Sequence, residues 1–521
     1  MYSLKRKVWP YLRQNFLVTA GIAMVLIYNI PQILELEPVG RHNWRQTDCA
    51  SFAWNYYTGS ANLFTPAMNN VLSNGEGAAA AEFPLIYWLA GMLYRVFGPH
   101  TLLLRMMNIV IVFSGLWALS ALCRSIIVDS FWAMFIPLLL YTSPFFVYYS
   151  SGFLPDPPAL AICFWGWYFL GKHVIHQNKK YWLAALAFFT LGGLLKISMF
   201  IHAITAIILI VADHWLIPKV NKNYKRITGL KLPDYLIGFI VSLLVIFCWY
   251  LYATWYSTRF EYPHFTSIIK SVFQVSGEDI TRILREIKIQ IPYFFHPSVH
   301  ILLAVALAFI LWNSRKLIWI TVSIPLLLCL GGIAHLAIFF WLIGGHEYYH
   351  LVNLSGASAI LVAGAYMLNQ KHPRISRHIF TRLIFSAFLV ANIIYTRERM
   401  KEYYDPANSY FREKPAFYQQ EFKDYLSSIG LKENQYVISI PDRSPNNTLY
   451  LLRKRGWSSF NNPKHYGNAM QRWTGKYGEI FLILSDTTLR SDTLLQPALY
   501  DKAGTYSDME IYILHPKEKA P

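Results

Sequence analysis

The sequence predicts an α-helical polytopic membrane protein of about eleven spans, with a long first external loop and a C-terminal extracytoplasmic α/β domain. Three observations predict it. Apolar runs of about 17–25 residues, the length that crosses a hydrocarbon core as helix, recur along a chain that is 55% hydrophobic and 17% aromatic. Lys and Arg gather in alternate connections between those runs. After residue 395 the runs give way to the short strand-like and helical stretches of a soluble domain.

The first apolar run covers 16–33. No small-residue cleavage site follows it, so it reads as an uncleaved first span. The chain then makes an external excursion over 35–99, through RHNWRQTDCASFAWNYYTG and GEGAAAAEFPLIYWL. A loop this long, rich in Trp and Tyr and carrying the isolated carboxylates Asp48 and Glu82, points to a reaction centre at the membrane surface. Further spans are expected at 100–122, 130–146, 157–171, 181–195, 197–217, 234–256, 298–313, 317–342, 350–369 and 379–395. A second external segment, 257–297, sets Ile280, Ile283, Leu284 and Ile287 at i, i+3, i+4 and i+7. That spacing is the pattern of an amphipathic helix lying in the interface.

Basic residues orient the bundle. Lys5, Arg6, Lys7, Arg13, Arg124, Lys172, Lys179, Lys180, Lys219, Lys222, Lys225, Arg226, Lys231, Arg315, Lys316, Lys371, Arg374, Arg377 and Arg382 fall in the connections assigned to the inside. The external turns 145–156 and 342–350 carry none. By the positive-inside rule the N-terminus is cytoplasmic, the 35–99 loop is external, and the C-terminus is extracytoplasmic, in an inner (plasma) membrane. The net charge of +18 is thus a topology signal, not a sign of nucleic-acid binding. Five scattered cysteines form neither a disulfide framework nor a metal spacing.

Two domains follow: 1–395, with 35–99 as the catalytic loop, and 396–521. In the second, QYVISI (435–440), EIFLILS (479–485) and EIYILHP (510–516) read as strands. Helical stretches near 411–429 and 446–455 alternate with them.

Several side chains suit chemistry, each with a plainer role beside it. Asp48 could deprotonate a hydroxyl attacking an anomeric carbon, or cap the helix-compatible CASFAWNYY that follows it; the two roles are compatible. Glu82 is either a solvated loop carboxylate or a second carboxylate that orients the acceptor, supports Asp48 or binds a cation. Asp156, before Pro157 and Pro158, has the form of an N-cap followed by Pro at N1. Lys196 and Arg105, near span ends among apolar neighbours, must snorkel, pair or face a polar cavity; a phosphate is the natural external partner for such a cation. His346, Glu347, Tyr348 and Tyr349, with His350, make an unusually polar turn. Two His and one Glu are zinc-competent donors. The spacing is no metal signature, however, and an interfacial aromatic belt accounts for the tyrosines. No metal ligands are assigned. Ser444 or Asn446, in PDRSPNNTLYLLRKRGW, would cap a following helix and leave an N-terminus able to hold an anion.

In order, these pieces resemble the GT-C membrane glycosyltransferases of the protein O-mannosyltransferase and aminoarabinose-transferase type. The resemblance runs through Asp48 in the first loop, Glu82 with Pro84, Tyr87, Trp88, Leu89 and Phe97-Gly98, then Arg105. It continues with Asp156 at an external span start, Lys196 ending a Gly-rich run, and the Tyr348-Tyr349 turn. It implies a GT-C fold, a polyprenyl-phosphate-linked sugar as donor, an extracytoplasmic acceptor (lipid, glycan or protein), and inversion with Asp48 as base. Glu82 would be the second carboxylate. Lys196, Arg105 and Arg45 would be phosphate contacts, and Asp156, Tyr348, Tyr349, His346 and Glu347 would lie on the substrate side. No cofactor is assigned, and a divalent cation is left open. Many relatives follow the catalytic Asp with Glu and Arg, whereas Cys-Ala-Ser follows Asp48; Phe83 stands where aminoarabinose transferases have Lys. The alternative is a polyprenol-linked glycan transporter or flippase, which would need charges along a path through the span centres. Here they crowd the external face.

Overall fold

The computed structural model describes residues 17–71, 76–260, 269–314, 319–409, 411–461 and 466–516. The basic residues Lys5, Arg6, Lys7, Arg13, Arg315 and Lys316 lie outside the described residues. Contacts divide the chain into two units. One comprises Met1–Leu34, Arg105–Tyr252 and Thr266–Tyr403; the other comprises Glu35–Leu104, Ala253–Phe265 and Tyr404–Pro521.

The first unit is helical because its sequence offers long apolar runs whose backbone groups can be satisfied in lipid only within a helix. Ten of the eleven expected spans fall mainly on one helical run each, from Leu17–Ile27 to Ile379–Tyr404, and the expected span 130–146 instead falls on two helices with a break between them. Among the described residues, six helices are long and apolar enough to cross a membrane, and up to eight spans result if each of two bent pairs is one span. The first pair, Ser130–Leu140 and Pro144–Ser150, bends by 75°. Ser143 restarts the helix there by accepting from the Phe146 N–H at 3.4 Å, with Pro144 preset at its first position. The second pair joins Gly277–Phe294, the expected amphipathic helix, to Pro297–Trp312 at 92°. His296 caps the second half by accepting from the Ser298 N–H. Where helix Thr101–Ile127 meets helix Asp156–His176, any side chain at Gly115 would overlap Ala161, so the two backbones approach closely.

In the second unit, helix Asn43–Thr58 packs on helix Leu85–Phe97, with the Phe52 and Tyr87 rings stacked 5.5 Å apart. Residues 404–516 supply a five-stranded sheet: β1 Val437–Ile440, β2 Gly456–Ser458, β3 Ile480–Leu484, β4 Lys502–Tyr506 and β5 Met509–Leu514. The order is β2-β1-β3-β5-β4. β1 runs parallel to β2 and β3, while β5 is antiparallel to both β3 and β4. The three expected strands are β1, β3 and β5. β2 is only three residues long, and β4 (KAGTY) has no apolar run to betray it. The expected helices contract to Gln420–Ser428 and Asn447–Leu451.

The first loop joins this sheet. Gly456 N–H donates to the Asn69 carbonyl at 3.0 Å and Val71 N–H donates to the Gly456 carbonyl at 2.8 Å. Val71 is buried among Ile438, Ile440, Trp457 and Leu482. Gly456 is required at this crossing, because a Cβ would overlap the Val437 carbonyl oxygen.

Candidate active site

Helix Asn43–Thr58 begins five residues before Asp48, after His42 in the left-handed region at φ 52° with no side-chain cap. Asp48 is therefore in the second turn and does not cap the helix. Arg45, Asp48 and Cys49 follow at i, i+3 and i+4, one face of the helix. Asn43, Arg45, Gln46, Thr47, Asp48 and Ser51 are all buried, a density of polar groups that interiors tolerate only when they are paired.

Arg45 Nη2 donates to Glu82 Oε1 at 2.6 Å, and the Tyr87 hydroxyl donates to the same oxygen at 2.5 Å. Tyr87 Oη also lies 3.1 Å from Cys49 Sγ. Glu82, 8% exposed, is thus the centre of a buried network and not a solvated loop carboxylate. Burial pushes the Cys49 thiol up to about 12, so it stays protonated and inert as a nucleophile.

Asp48 is fully buried. Its Oδ1 accepts from Asn446 Nδ2 at 3.0 Å, across 398 residues of sequence. Its Oδ2 has no hydrogen-bond partner among the described residues. Burial drives its carboxyl from 3.8 up to about 7; Arg45 and the Asn446 amide pull the other way, and the carboxylates of Glu82 and Asp442 add to the rise. Asp442 is itself held by Ser444 and Thr448, whose hydroxyls each donate at 2.6 Å. Burial raises it as well, and it raises its neighbour Glu413. A buried carboxyl titrating near neutrality, with one oxygen unengaged, is suited to accepting a proton at physiological pH.

The other predicted residues gather in the helical unit. Lys196 Nζ lies 2.8 Å from Asp156 Oδ1 and over the rings of Tyr348 and Tyr349, at 5.3 and 4.6 Å. The Tyr149 hydroxyl donates to Glu347 Oε1 at 3.0 Å, and the His346 ring stacks on Tyr348. Helix Asp156–His176 starts at Asp156 itself, with Pro155 at the N-cap and no side-chain cap bond. Asp156 is therefore an ion-pair partner and not a cap. Lys196 likewise pairs instead of snorkelling. Buried Arg105 donates to the Ser151 carbonyl at 2.6 Å and lies over the Phe153 ring.

Sequence reading missed three contacts. Of the two expected caps, Ser444 accepts from the Asn447 N–H, while Asn446 holds the N-cap position without a side-chain cap bond and binds Asp48 instead. With five residues, helix Asn447–Leu451 is too short to act as an anion site. Tyr87, legible only as part of a motif, binds Glu82, and Asn70 binds Asn446. Among the described residues no three His, Cys, Asp or Glu side chains converge as metal ligands.

A family model for dolichyl-phosphate-mannose-protein mannosyltransferases matches residues 81–252, which include Glu82, Arg105, Asp156 and Lys196 but not Asp48. That match spans about a third of the chain, and the fold is that of a multi-pass membrane protein with the GT-C architecture. Its architecture is similar to ArnT from Cupriavidus metallidurans: TM-score 0.58 at 14% identity, covering 95% of this chain and 97% of that one. The same enzyme bound to undecaprenyl phosphate matches equally, over 96% and 98%. The archaeal oligosaccharyltransferase AglB from Archaeoglobus fulgidus, solved with an inhibitory peptide and a dolichol-phosphate, is similar at TM-score 0.50 and 11% identity over 98% of this chain and 75% of that one. At such identities the likeness establishes the fold. No curated protein sequence matches the chain.

Proposed function

We propose that this protein transfers a sugar from a polyprenyl-phosphate-linked donor to an extracytoplasmic acceptor (a lipid, glycan or protein), with inversion and with Asp48 as general base. The observation that carries this reading is the state of Asp48: buried, titrating near 7, with Oδ2 unengaged among the described residues. The polyprenyl phosphates bound by ArnT and AglB support the donor class.

In the proposed reaction the acceptor O–H gives its proton to Asp48 Oδ2 while the oxygen bonds to the anomeric carbon. The bond from that carbon to the phosphate oxygen breaks on the opposite face, and its electron pair leaves with the polyprenyl phosphate. The leaving phosphate gains a second negative charge as that bond breaks, so fixed cations beside it stabilise the transition state without a nucleotide. Lys196, Arg105 and Arg45 are the proposed cations, with Asp156 orienting Lys196. Glu82 holds Arg45 and thereby tempers the field at Asp48. Tyr348, Tyr349, His346 and Glu347 are assigned to the substrate side. The proposed topology has a cytoplasmic N-terminus, with 35–99 and 396–521 extracytoplasmic, in an inner (plasma) membrane.

The test is Asp48→Asn, assayed in a membrane fraction supplied with donor lipid. Loss of a general base lowers transfer by about 10²–10⁴-fold; full activity removes Asp48 from that role. Mass spectrometry of envelope glycans with and without the protein then identifies sugar and acceptor.

A further inference from the structure

We infer that Asn446, in the C-terminal part of the chain, is a positioning residue for Asp48: its amide engages one carboxylate oxygen and leaves the other to take the acceptor proton. The inference rests on Asp48 being the base.

Three observations carry it. First, Asn446 is fully buried, and its Nδ2 lies 3.0 Å from Asp48 Oδ1 while Oδ2 has no partner among the described residues. Second, the amide has only one satisfactory orientation. Asn446 Oδ1 accepts from the Asn70 backbone N–H at 2.8 Å, and a backbone N–H can only donate. The –NH₂ end must therefore face the carboxylate. Third, the chain on either side of Asn446 is latched. Asn70 Nδ2 donates to the Pro445 carbonyl at 2.8 Å, and Thr448 N–H donates to Asp442 Oδ2 at 2.9 Å. Helix capping explains none of this, because the Ser444 hydroxyl already accepts from the Asn447 N–H.

A hydrogen bond donated to an ionised oxygen stabilises the charged form and stops the carboxylate from rotating. Without it, the same burial acts unopposed and the base titrates higher. Losing one such bond raises the midpoint by about one pH unit.

The experiment uses the full-length protein in detergent. The carboxyl infrared band of Asp48, identified by its absence in Asp48→Asn, is titrated from pH 5 to 9. In parallel, transfer rate is followed against pH, with a polyprenyl-phosphate-sugar lipid extract of the source membranes as donor. Asn446→Ala is expected to move the band midpoint and the rising limb of the rate up together by about one unit. Asn446→Asp, which keeps the size and the acceptor for Asn70, adds a second carboxyl and moves both further. In the Asp48→Asn background neither substitution lowers transfer any more.

A folded variant whose band midpoint stays at the wild-type value overturns the inference, even if Asp48→Asn abolishes transfer. A band that moves while the rate limb does not means Asp48 is not the base, and the inference then fails with that reading. Failure of both variants to fold, judged by thermal melting, would make Asn446 scaffold only and also overturn it.

Discussion

Asp48→Asn has a consequence for stability as well as for activity, and the structure sets its size. The Asp48 carboxyl titrates at about 7 in the folded protein against 3.8 when exposed. Between about pH 4 and pH 7 the folded state therefore binds one proton more than the unfolded state. Stability then falls as pH rises through that window and is flat on either side of it. A shift of about three units, each worth about 1.4 kcal/mol, gives a penalty of about 4 kcal/mol above pH 7. Asparagine at 48 does not titrate. It keeps an acceptor for Asn446 Nδ2 and puts an –NH₂ where Oδ2 stood, a pH-independent cost of about 1–3 kcal/mol if that group stays unpaired. Burial also raises Asp442 and Glu413; because Asp442 and Asp48 repel one another, removing the Asp48 charge relieves Asp442 in turn, which adds to the variant's gain. Thermal unfolding of the two proteins in detergent from pH 4 to 8.5 reads that difference. Asp48→Asn should gain on wild type steadily up to about pH 7 and hold its gain beyond. Melting curves that stay parallel across the range would refute the buried, neutral-range carboxyl on which the base assignment stands.

Three other substitutions test separate parts of the structure. Lys196→Met removes the cation from Asp156, which is 1% exposed, and should cost about 3–5 kcal/mol in thermal unfolding; adding Asp156→Asn should restore most of it. Equal losses in the single and double variants would deny the pairing. Glu82→Gln leaves Arg45 without its counter-charge and removes a carboxylate that raises Asp48. The Asp48 titration, read by infrared, should then move down in pH, opposite to the effect of Asn446→Ala, with reduced transfer. Gly456→Ala places a Cβ against the Val437 carbonyl, parting β2 from β1 and disturbing its bonds to residues 69–71. Limited proteolysis should find the 404–516 region cleaved where the wild type resists; equal resistance would show that the crossing has room.

Much of the architecture is legible along the chain because spans and strands are local patterns. An apolar run of sufficient length declares a helix wherever it packs, and QYVISI or EIFLILS declares a buried strand without knowledge of its neighbours. β2 and β4 escape for the converse reason: GWS and KAGTY become strands only because Val437 and Tyr512 lie alongside to pair with them. The helix holding Asp48 started earlier than its sequence suggested because His42 takes a left-handed turn that no side-chain cap announces.

By itself, the sequence determined the fold class, the apolar segments, and the carboxylates and cations available for chemistry, since residue type and spacing suffice for these. Only the tertiary structure decided who partners whom: Asp48 with Asn446, Arg45 with Glu82, Asp156 with Lys196. The physical reason is that a buried charge takes its character from whatever group folding brings within about 3 Å. Those groups lie 37 to 398 residues away along the chain for the Arg45–Glu82 and Asp48–Asn446 contacts, well beyond the reach of any local pattern.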